Sequence, residues 1–348
     1  MSGTTLHGDG LSVLSLDEAL IRHQRLNLSR CPATLSPAYI ALDAVRNPVL
    51  KPVFLHYRHQ SRHWLHSLHL TDVPGTPYRD ASSPYGYGGP LCTSDDPVFL
   101  AQAWAAYVAW MQSQRVVVEY LRFHPLLDNQ RHYGGQVLAN REVAWVDLTG
   151  PDLMAGYAPR LRTTLNKATR AGLVYSESPL TGQTRAFAAY YREAMQRMGT
   201  DPFFWFNDIY FEQLVDTGLA RLGVCQSAAH PQAPWLAANL MLDGDGVTEY
   251  HLAATCEAGR RLGAASLALH QAAVHARQRG MTQLYLGGGS DASPHNALLF
   301  FKAAYSAQRL TYHTGFHVFD STAYDALRQH FPGAWAAHPE RPIFYRKA

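Results

Sequence analysis

Lysine is scarce in this chain of 348 residues. Only four of its 30 lysines and arginines are lysine, at positions 51, 167, 302 and 347. Charged residues of both signs make up 16% of the chain, and the formal net charge is +3. A charge this small produces no global field that requires a nucleic-acid partner, so any such site must be a local patch. We expect no DNA binding.

Cysteine pairs and long apolar runs are absent as well. Cys31, Cys92, Cys225 and Cys256 lie far apart and form no CxxC pair, so the sequence supports neither a zinc knuckle nor a disulfide framework. No stretch of about 18 apolar residues occurs, and the N-terminus shows no basic segment followed by an apolar run. We therefore expect a soluble cytoplasmic protein with reduced thiols, which leaves room for peripheral contact with a membrane surface.

Apolar residues are plentiful, at 47%, which is enough for substantial cores. The length favours two domains or one large one. The pattern predicts a boundary near Gly150–Pro151, with domains at 1–150 and 151–348. The predicted strands are 53–58, 63–70, 115–123, 143–148, 173–178, 220–227, 235–243, 247–256, 283–287 and 309–319. The predicted helices are 97–113, 157–172, 182–198, 201–214, 265–279 and 295–305. Each half runs from strands to a helix to strands, which suggests a structural duplication.

Histidine is abundant, and several histidines lie in "LHYRHQSRHWLHSLHL" at 56, 59, 63, 66 and 69. No carboxylate stands between His66 and His69, and the pair does not alternate cleanly along a strand. We interpret this segment as a hairpin with a polar face, and we expect no metal site.

Residues 247–289 read as a strand, a loop, a helix and a second strand. The loop carries "RRLGAA" at 260–265, an R-x-x-G-x-A pattern that opens the helix. Small residues there allow backbone N–H groups to face an anion such as a pyrophosphate at the helix N-terminus. An ordinary turn with a capping glycine would explain the same sequence pattern. The order of the surrounding elements favours the anion site.

That order resembles the core of the GNAT acyltransferases, in which this loop holds the pyrophosphate of coenzyme A. GNAT proteins often carry a tyrosine general acid on the following helix, but this chain has Phe301 there, which cannot donate a proton. The segment "LYLGGGSDASPHNALLFFKAAYS" is instead similar to the LGGG…FK signature of the FemABX-like branch, which includes BioF2-like acetyltransferase domains. Three further segments resemble that branch: "SPYGYGGP" (83–90), "YAPRLRTTLNKATRAGLVYSES" and "AAYYREAMQRMGTDPFFWFNDIYFEQL".

The resemblance covers about residues 80–310 and implies an α/β (α+β) fold with two tandem GNAT-like domains. Each domain would contain a mixed, mostly antiparallel sheet flanked by helices. Domain 1–150 would bind the acceptor. Domain 151–348, with its core at 235–319, would bind the donor. The implied activity is transfer of an acyl group, often an aminoacyl group from tRNA, to an amine, with no tightly bound cofactor.

Lys302 is the first candidate catalytic residue. Aminolysis of an ester or thioester builds negative charge on the carbonyl oxygen, and a fixed cation stabilises that charge. A lysine whose stem covers Phe300 or Phe301 at the surface is the alternative. The resemblance favours a donor-site role for Lys302, and it extends the donor-binding set to Phe301, Arg260, Gly263, Ala264, Gly287, Gly288 and Gly289.

The helix at 157–172 carries a basic face that includes Arg160, Lys167 and Arg170. Guanidinium and ammonium groups suit a diphosphate or an RNA backbone, although a solvated basic face explains the pattern equally well. The resemblance favours a role for Arg160 and Lys167 in binding the phosphates of the acceptor.

The attacking amine must lose a proton, so a base is needed. Strand 247–253 places Glu249 and His251 on one face, and both are candidates, although a hydrogen-bonded histidine in a sheet is the simpler interpretation of His251. Tyr85 and Tyr87 are candidates for lining the acceptor site, or they fill space as loop aromatics.

The sequence thus predicts an N-acyltransferase acting on a nucleotide-linked cell-wall precursor, a sugar conjugate or a small molecule. No cysteine or serine stands beside a base in these motifs, so no covalent enzyme intermediate is implied. Aminoacyl-tRNA is the favoured donor because of the Phe301–Lys302 pair and the basic helix, whereas the 260–265 loop favours acyl-CoA. The alternatives are an acetyl-CoA-dependent enzyme of polysaccharide or natural-product tailoring, and a non-catalytic binding module.

Overall fold

The structure is a computed structural model that describes residues 9–26, 30–291, 293 and 295–346. The described strands are β1 (Gly10–Leu14), β2 (Lys51–His59), β3 (Arg62–Asp72), β4 (Arg79–Ser82), β5 (Leu91–Cys92), β6 (Val116–Arg122), β7 (Gln136–Asp147), β8 (Leu173–Pro179), β9 (Ala220–Ser227), β10 (Ala237–Asp243), β11 (Val247–Thr255), β12 (Gln283–Gly288) and β13 (Arg309–Val318). The described helices are α1 (Leu16–Arg25), α2 (Pro37–Ala44), α3 (Pro97–Ser113), α4 (Pro159–Arg170), α5 (Thr184–Arg197), α6 (Asp208–Asp216), α7 (Glu257–Leu262), α8 (Ala264–Gln278), α9 (Ala297–Lys302), α10 (Ser321–His330) and α11 (Pro332–Ala337).

The chain forms two compact units. The first takes the described residues within 1–28, 34–140 and 312–348, and the second takes those within 29–33 and 141–311. The change at 140–141 differs from the predicted boundary at 150, and the last 37 positions return to the first unit instead of ending the second. The boundaries between the units lie within strands, because the chain passes from one unit to the other inside β7 and again inside β13. It does not do so in the loop at Gly150–Pro151.

The first unit contains a sheet in the order β1–β2–β3–β4–β6–β13, with β5 paired to β3. All of its pairs are antiparallel except β4–β6, which is parallel and is connected by α3. Helix α3 begins at Pro97 after Asp96, whose carboxylate accepts from the Val98 N–H, and these are the start signals that predicted it. Phe99, Ala103, Tyr107 and Met111 of α3 are buried against the sheet.

The second unit contains a sheet in the order β7–β12–β11–β10–β9–β8. Its pairs are antiparallel except β11–β12, which is parallel and is connected by α7 and α8. Helices α4 and α8 cover one face and bury Leu161, Leu165, Leu267 and Leu269 against it. Both units therefore have a mixed, mostly antiparallel sheet with one parallel pair, which confirms the predicted fold class.

The histidine-rich hairpin is β2 and β3, and its polar face was predicted wrongly. His56, His66 and His69 are buried. Burial lowers the pKa of His66 to about 3, and its ring packs edge-on against Trp64 and Tyr107. The ring of His69 donates to the Ile40 carbonyl at 2.8 Å. These histidines serve as packing residues, because α2 and α3 cover the two strands and the sequence pattern revealed only α3.

No helix in the described part of the chain has both the length and the apolar composition needed to cross a bilayer.

Candidate functional site

The parallel pair β11–β12 separates partway along its length. Hydrogen-bonded pairing runs from Val247 opposite Gln283 to Glu249 opposite Tyr285. Beyond that point β11 continues to Thr255 and β12 continues to Gly288. Ligands of α/β sheets commonly bind where neighbouring strands diverge, so this fork is the candidate site.

The three glycines at the end of β12, Gly287, Gly288 and Gly289, allow close approaches there. Gly287 has a φ of 80° and follows a register shift against β7, as expected of a β-bulge. A Cβ on Gly289 would lie 2.4 Å from the side chain of Asn296, the residue that caps α9. The Gly288 carbonyl faces the end of α9. These glycines bring the strand and the helix together.

Lys302 ends α9 and is 9% exposed. Its Nζ donates to the Gly288 carbonyl at 2.8 Å. Burial lowers the pKa of this ammonium to about 8, because the low-dielectric surroundings disfavour the charged form. The preceding Phe301 packs edge-on against Tyr305 at 5.6 Å. The ammonium therefore lies at the carboxyl end of β12, beside the fork.

The R-x-x-G-x-A turn contains an unexpected short helix. Helix α7 occupies 257–262, and Cys256 caps its start by accepting the Gly259 N–H on Sγ. Gly263 follows with a φ of 78°, and α8 begins at Ala264 without a side-chain cap. Because no side chain caps the start of α8, its first backbone N–H groups can bind an anion. Arg260 is exposed beside this turn.

Helix α4 lies alongside both the turn and α9. A Cβ on Gly263 would lie 2.6 Å from Cγ2 of Thr164, so the turn packs directly on α4. One helical turn earlier, Arg160 donates to the Phe300 carbonyl at 2.8 Å, and its guanidinium lies 3.7 Å from the centre of the Phe300 ring. Lys167 is exposed on the same helix. The residues predicted to bind the donor therefore gather around α7, α9 and the end of β12, and α4 beside them carries Arg160 and Lys167, which were predicted to bind the acceptor.

The two candidate bases lie on β11. Glu249 is 3% exposed and belongs to the paired part of the strand. His251 lies at the register shift between β11 and β10, and its Nε2 lies 2.7 Å from the Tyr210 hydroxyl. Sequence analysis did not single out Tyr210, although it lies in the quoted aromatic segment. His251 thus has the hydrogen bond expected of a histidine in a sheet, and it also lies beyond the point where β11 leaves β12.

Tyr85 and Tyr87 belong to the first unit. The Tyr85 N–H donates to Asp43 at 2.8 Å, and the Arg46 guanidinium lies 4.8 Å from the Tyr85 ring centre. The Tyr87 ring packs edge-on against His124 and Tyr312. Both tyrosines therefore take part in packing within their own unit, and a role in binding the acceptor stays a prediction.

Comparison with known families decides the class of protein. Residues 158–295 match the family model described as an acetyltransferase (GNAT) domain. This part of the chain is similar to GNAT acetyltransferase domains. It contains β11, α7, α8 and β12, which are the fork and the turn described above. No curated protein matches the chain.

Solved structures extend the resemblance over most of the chain. FemX matches with a TM-score of 0.70 at 13% identity, covering 92% of this chain and 100% of that one. The C-terminal domain of a putative lysylphosphatidylglycerol synthetase from Agrobacterium fabrum matches with a TM-score of 0.60 at 15% identity, covering 92% of this chain and 97% of that one. The structure of L-PGS from Bacillus licheniformis matches with a TM-score of 0.51 at 16% identity, covering 72% of this chain and 80% of that one. At these identities the matches establish the fold, which is the FemABX-like fold predicted from sequence. The domain match and the fold together point to an acyltransferase.

Proposed function

We propose that this chain is an N-acyltransferase that moves an activated acyl or aminoacyl group to an amine. The observation that supports this most directly is the buried ammonium of Lys302, which lies beside the fork of β11 and β12. A protein seldom buries a lysine without a use for its charge, because burial disfavours the charged form. The acceptors we propose are a cell-wall precursor, a sugar conjugate or a small amine.

The proposed reaction needs no covalent enzyme intermediate. The amine attacks the carbonyl carbon of the donor, and the new C–N bond forms as negative charge collects on the oxygen. The Lys302 ammonium stabilises that charge. The C–O or C–S bond to the leaving group then breaks, and the proton of the amine passes to a base. His251 or Glu249 accepts this proton in our proposal.

Two donors fit, and a different observation supports each. The small-residue turn at Gly263 and the uncapped start of α8 favour the pyrophosphate of acyl-CoA, in agreement with the domain match. The exposed cations on α4 and α7, Lys167 and Arg260 among them, favour the longer backbone of aminoacyl-tRNA. A cytoplasmic location belongs to the proposal with either donor.

A direct assay separates these donors. Purified protein is incubated with acetyl-CoA and, separately, with a mixture of charged tRNAs, each with and without bacterial amine precursors. Free thiol or free tRNA is measured over time. We expect amine-dependent consumption of one donor. Consumption of neither, with any amine, would favour a non-catalytic GNAT-like binding module, for which Phe301 in place of a tyrosine acid is the supporting observation.

Lys302→Met tests the role of the ammonium, because methionine keeps most of the stem and removes the charge. We expect kcat to fall by about 10²-fold or more, as for loss of one donor to an oxyanion, with the KM of the acceptor nearly unchanged. In the wild type, kcat should also decrease as the pH rises through about 8, where Lys302 loses its proton. Lys51→Met, an exposed lysine of the first unit, is the control. Loss of acceptor affinity with unchanged kcat would contradict a catalytic role.

A further inference from the structure

Helix α9 has only six residues, which is too few to be stable without support from its surroundings. Its start is capped by Asn296, whose side chain accepts from the N–H groups of Leu298 and Leu299. Near its other end, the Phe300 carbonyl accepts from Arg160 at 2.8 Å. The guanidinium also lies over the Phe300 ring, with its central carbon 3.7 Å from the ring centre. One arginine thus holds both the backbone and the side chain of the same residue.

The start of α4 makes two further contacts with this segment. The Ala158 N–H donates to the Ala304 carbonyl at 2.8 Å. The ring of Tyr157 packs edge-on against Tyr305 at 5.4 Å, and the Tyr305 hydroxyl donates to the Ser266 carbonyl of α8. Residues 300–305 are therefore fixed from two sides, by the beginning of α4 and by α8. Lys302 lies in the middle of this fixed segment.

We propose that Arg160 is a positioning residue, which fixes α9 so that the Lys302 ammonium stays on the Gly288 carbonyl. This replaces the role in phosphate binding that the sequence suggested for Arg160. The catalytic consequence rests on the proposed function, whereas the structural statement does not. Lysine would not serve equally well at 160, because only the planar guanidinium can stack on a ring while donating in its plane.

The four lysines of the chain make the proposal measurable without any enzyme assay. Trace labelling with acetic anhydride over a range of pH, followed by peptide mapping, gives an apparent pKa for each lysine. The pKa of Lys302 is held at about 8 by burial. If α9 loosens, water reaches the ammonium and its pKa rises toward the ordinary value. The other lysines serve as internal references.

Three variants separate the possibilities. Arg160→Ala removes the contact, and Phe300→Ala removes the stacked ring but keeps the guanidinium. We expect both to raise the apparent pKa of Lys302, by at least one unit for Arg160→Ala, and to lower kcat about tenfold with donor KM nearly unchanged. Arg162→Ala is the matched control, since this exposed arginine of the same helix donates to the Ala155 carbonyl, away from α9. Circular dichroism checks that each variant is folded.

An unchanged Lys302 pKa in folded Arg160→Ala would overturn the proposal. A rise in the KM of the acceptor or of the donor with Arg160→Ala, together with no effect of Phe300→Ala, would overturn it in favour of a phosphate ligand. A shifted pKa in a protein that consumes no donor would support the positioning role while refuting the proposed function. The two failures are therefore distinguishable.

Discussion

Lys302 places a charge where it destabilises the fold. Its pKa is about 8 in the folded chain, against an ordinary lysine pKa of 10.5, so the folded chain binds this proton less tightly. By linkage, its contribution is least favourable below pH 8 and improves as the pH rises from about 8 to 10.5. The difference of 2.5 units corresponds to about 3 kcal/mol. A residue retained at this cost is expected to serve function.

Lys302→Met should therefore be more stable than the wild type at pH 7. The gain is about 2 kcal/mol, after about 1 kcal/mol is subtracted for the Gly288 carbonyl that loses its donor. The gain should shrink by pH 9.5, where the wild-type lysine is largely neutral. Urea unfolding at both pH values measures it. Lys51→Met should change stability by less than about 0.5 kcal/mol at either pH. Equal stability of Lys302→Met and wild type at pH 7 would count against a buried charge.

Glu119 is a second costly group, in the core of the first unit. It is fully buried, and its two oxygens accept from the hydroxyls of Tyr107 and Tyr133 at 2.5 and 2.8 Å. Burial raises its pKa to about 7, although both hydrogen bonds oppose the rise. A raised pKa stabilises the fold below the unfolded value of about 4.5, and that contribution is lost as the pH rises through 7.

Glu119→Gln should consequently make stability less dependent on pH. Relative to the wild type, the variant is expected to be less stable at pH 5 and to gain about 2–3 kcal/mol by pH 8, because the amide cannot ionise. Thermal or urea unfolding between pH 5 and 8 would show this change. Glu212→Gln, at an exposed site of the second unit, is the control. Parallel stability curves for Glu119→Gln and wild type would show that the carboxyl keeps an ordinary pKa.

At the scale of elements, the junction of α7 and α8 depends on Gly263. Its φ of 78° disfavours any L side chain, and a Cβ would also collide with Cγ2 of Thr164. Gly280 has a similar φ of 85°, but a Cβ there meets nothing within 4 Å. The two glycines thus separate backbone strain from steric collision.

Gly263→Ala is expected to destabilise the protein by about 2–3 kcal/mol and to weaken donor binding, since the turn must move away from α4. Gly280→Ala should cost only about 1 kcal/mol. Thr164→Ser removes the colliding methyl group, so in that background the cost of Gly263→Ala should fall toward that of Gly280→Ala. Unfolding free energies of the double-mutant cycle provide the test. If Gly263→Ala and Gly280→Ala lowered the free energy of unfolding equally in the wild-type background, a collision with Thr164 would be excluded.

At the scale of the whole molecule, the two parallel strand pairs, β4–β6 and β11–β12, differ in what lies beyond the point where their pairing ends. In the first unit the loop after β4 continues to bond to β6: Ser83 Oγ accepts the Arg122 N–H, and the Gly88 N–H donates to the Arg122 carbonyl. The Asn129 amide donates to the Gly88 and Pro90 carbonyls. The fork of the first unit is therefore filled by its own chain, whereas β11 and β12 stop pairing after Glu249 and Tyr285.

We therefore expect each chain to bind one molecule of donor. Isothermal titration with CoA, or with a non-hydrolysable aminoacyl-tRNA if CoA does not bind, should give a single equivalent. Gly263→Ala should weaken that binding, and Gly280→Ala should not. Two equivalents of donor would contradict a filled fork in the first unit.

Several elements follow from local signals in the sequence. Helix α3 and strand β9 occupy the predicted ranges 97–113 and 220–227, because a capped proline start and an apolar run specify them locally. By contrast, β1, α1, α2, β4 and the helices after β13 were not predicted. Short elements of this kind are stable only against partners distant in sequence, such as β1 on β2 or the Arg346–Asp80 contact at the end of the chain.

The sequence by itself determined the glycine-rich strand end, and its resemblance to the FemABX-like branch predicted the class of fold and a donor-site role for Lys302, because these depend on motifs that can be recognised along the chain. The tertiary structure decided which groups meet. It placed Arg160 on Phe300, 140 residues away, and Tyr210 on His251, and it buried histidines that read as polar. Burial and long-range hydrogen bonds depend on all the elements packed around a residue, and no local pattern contains that information.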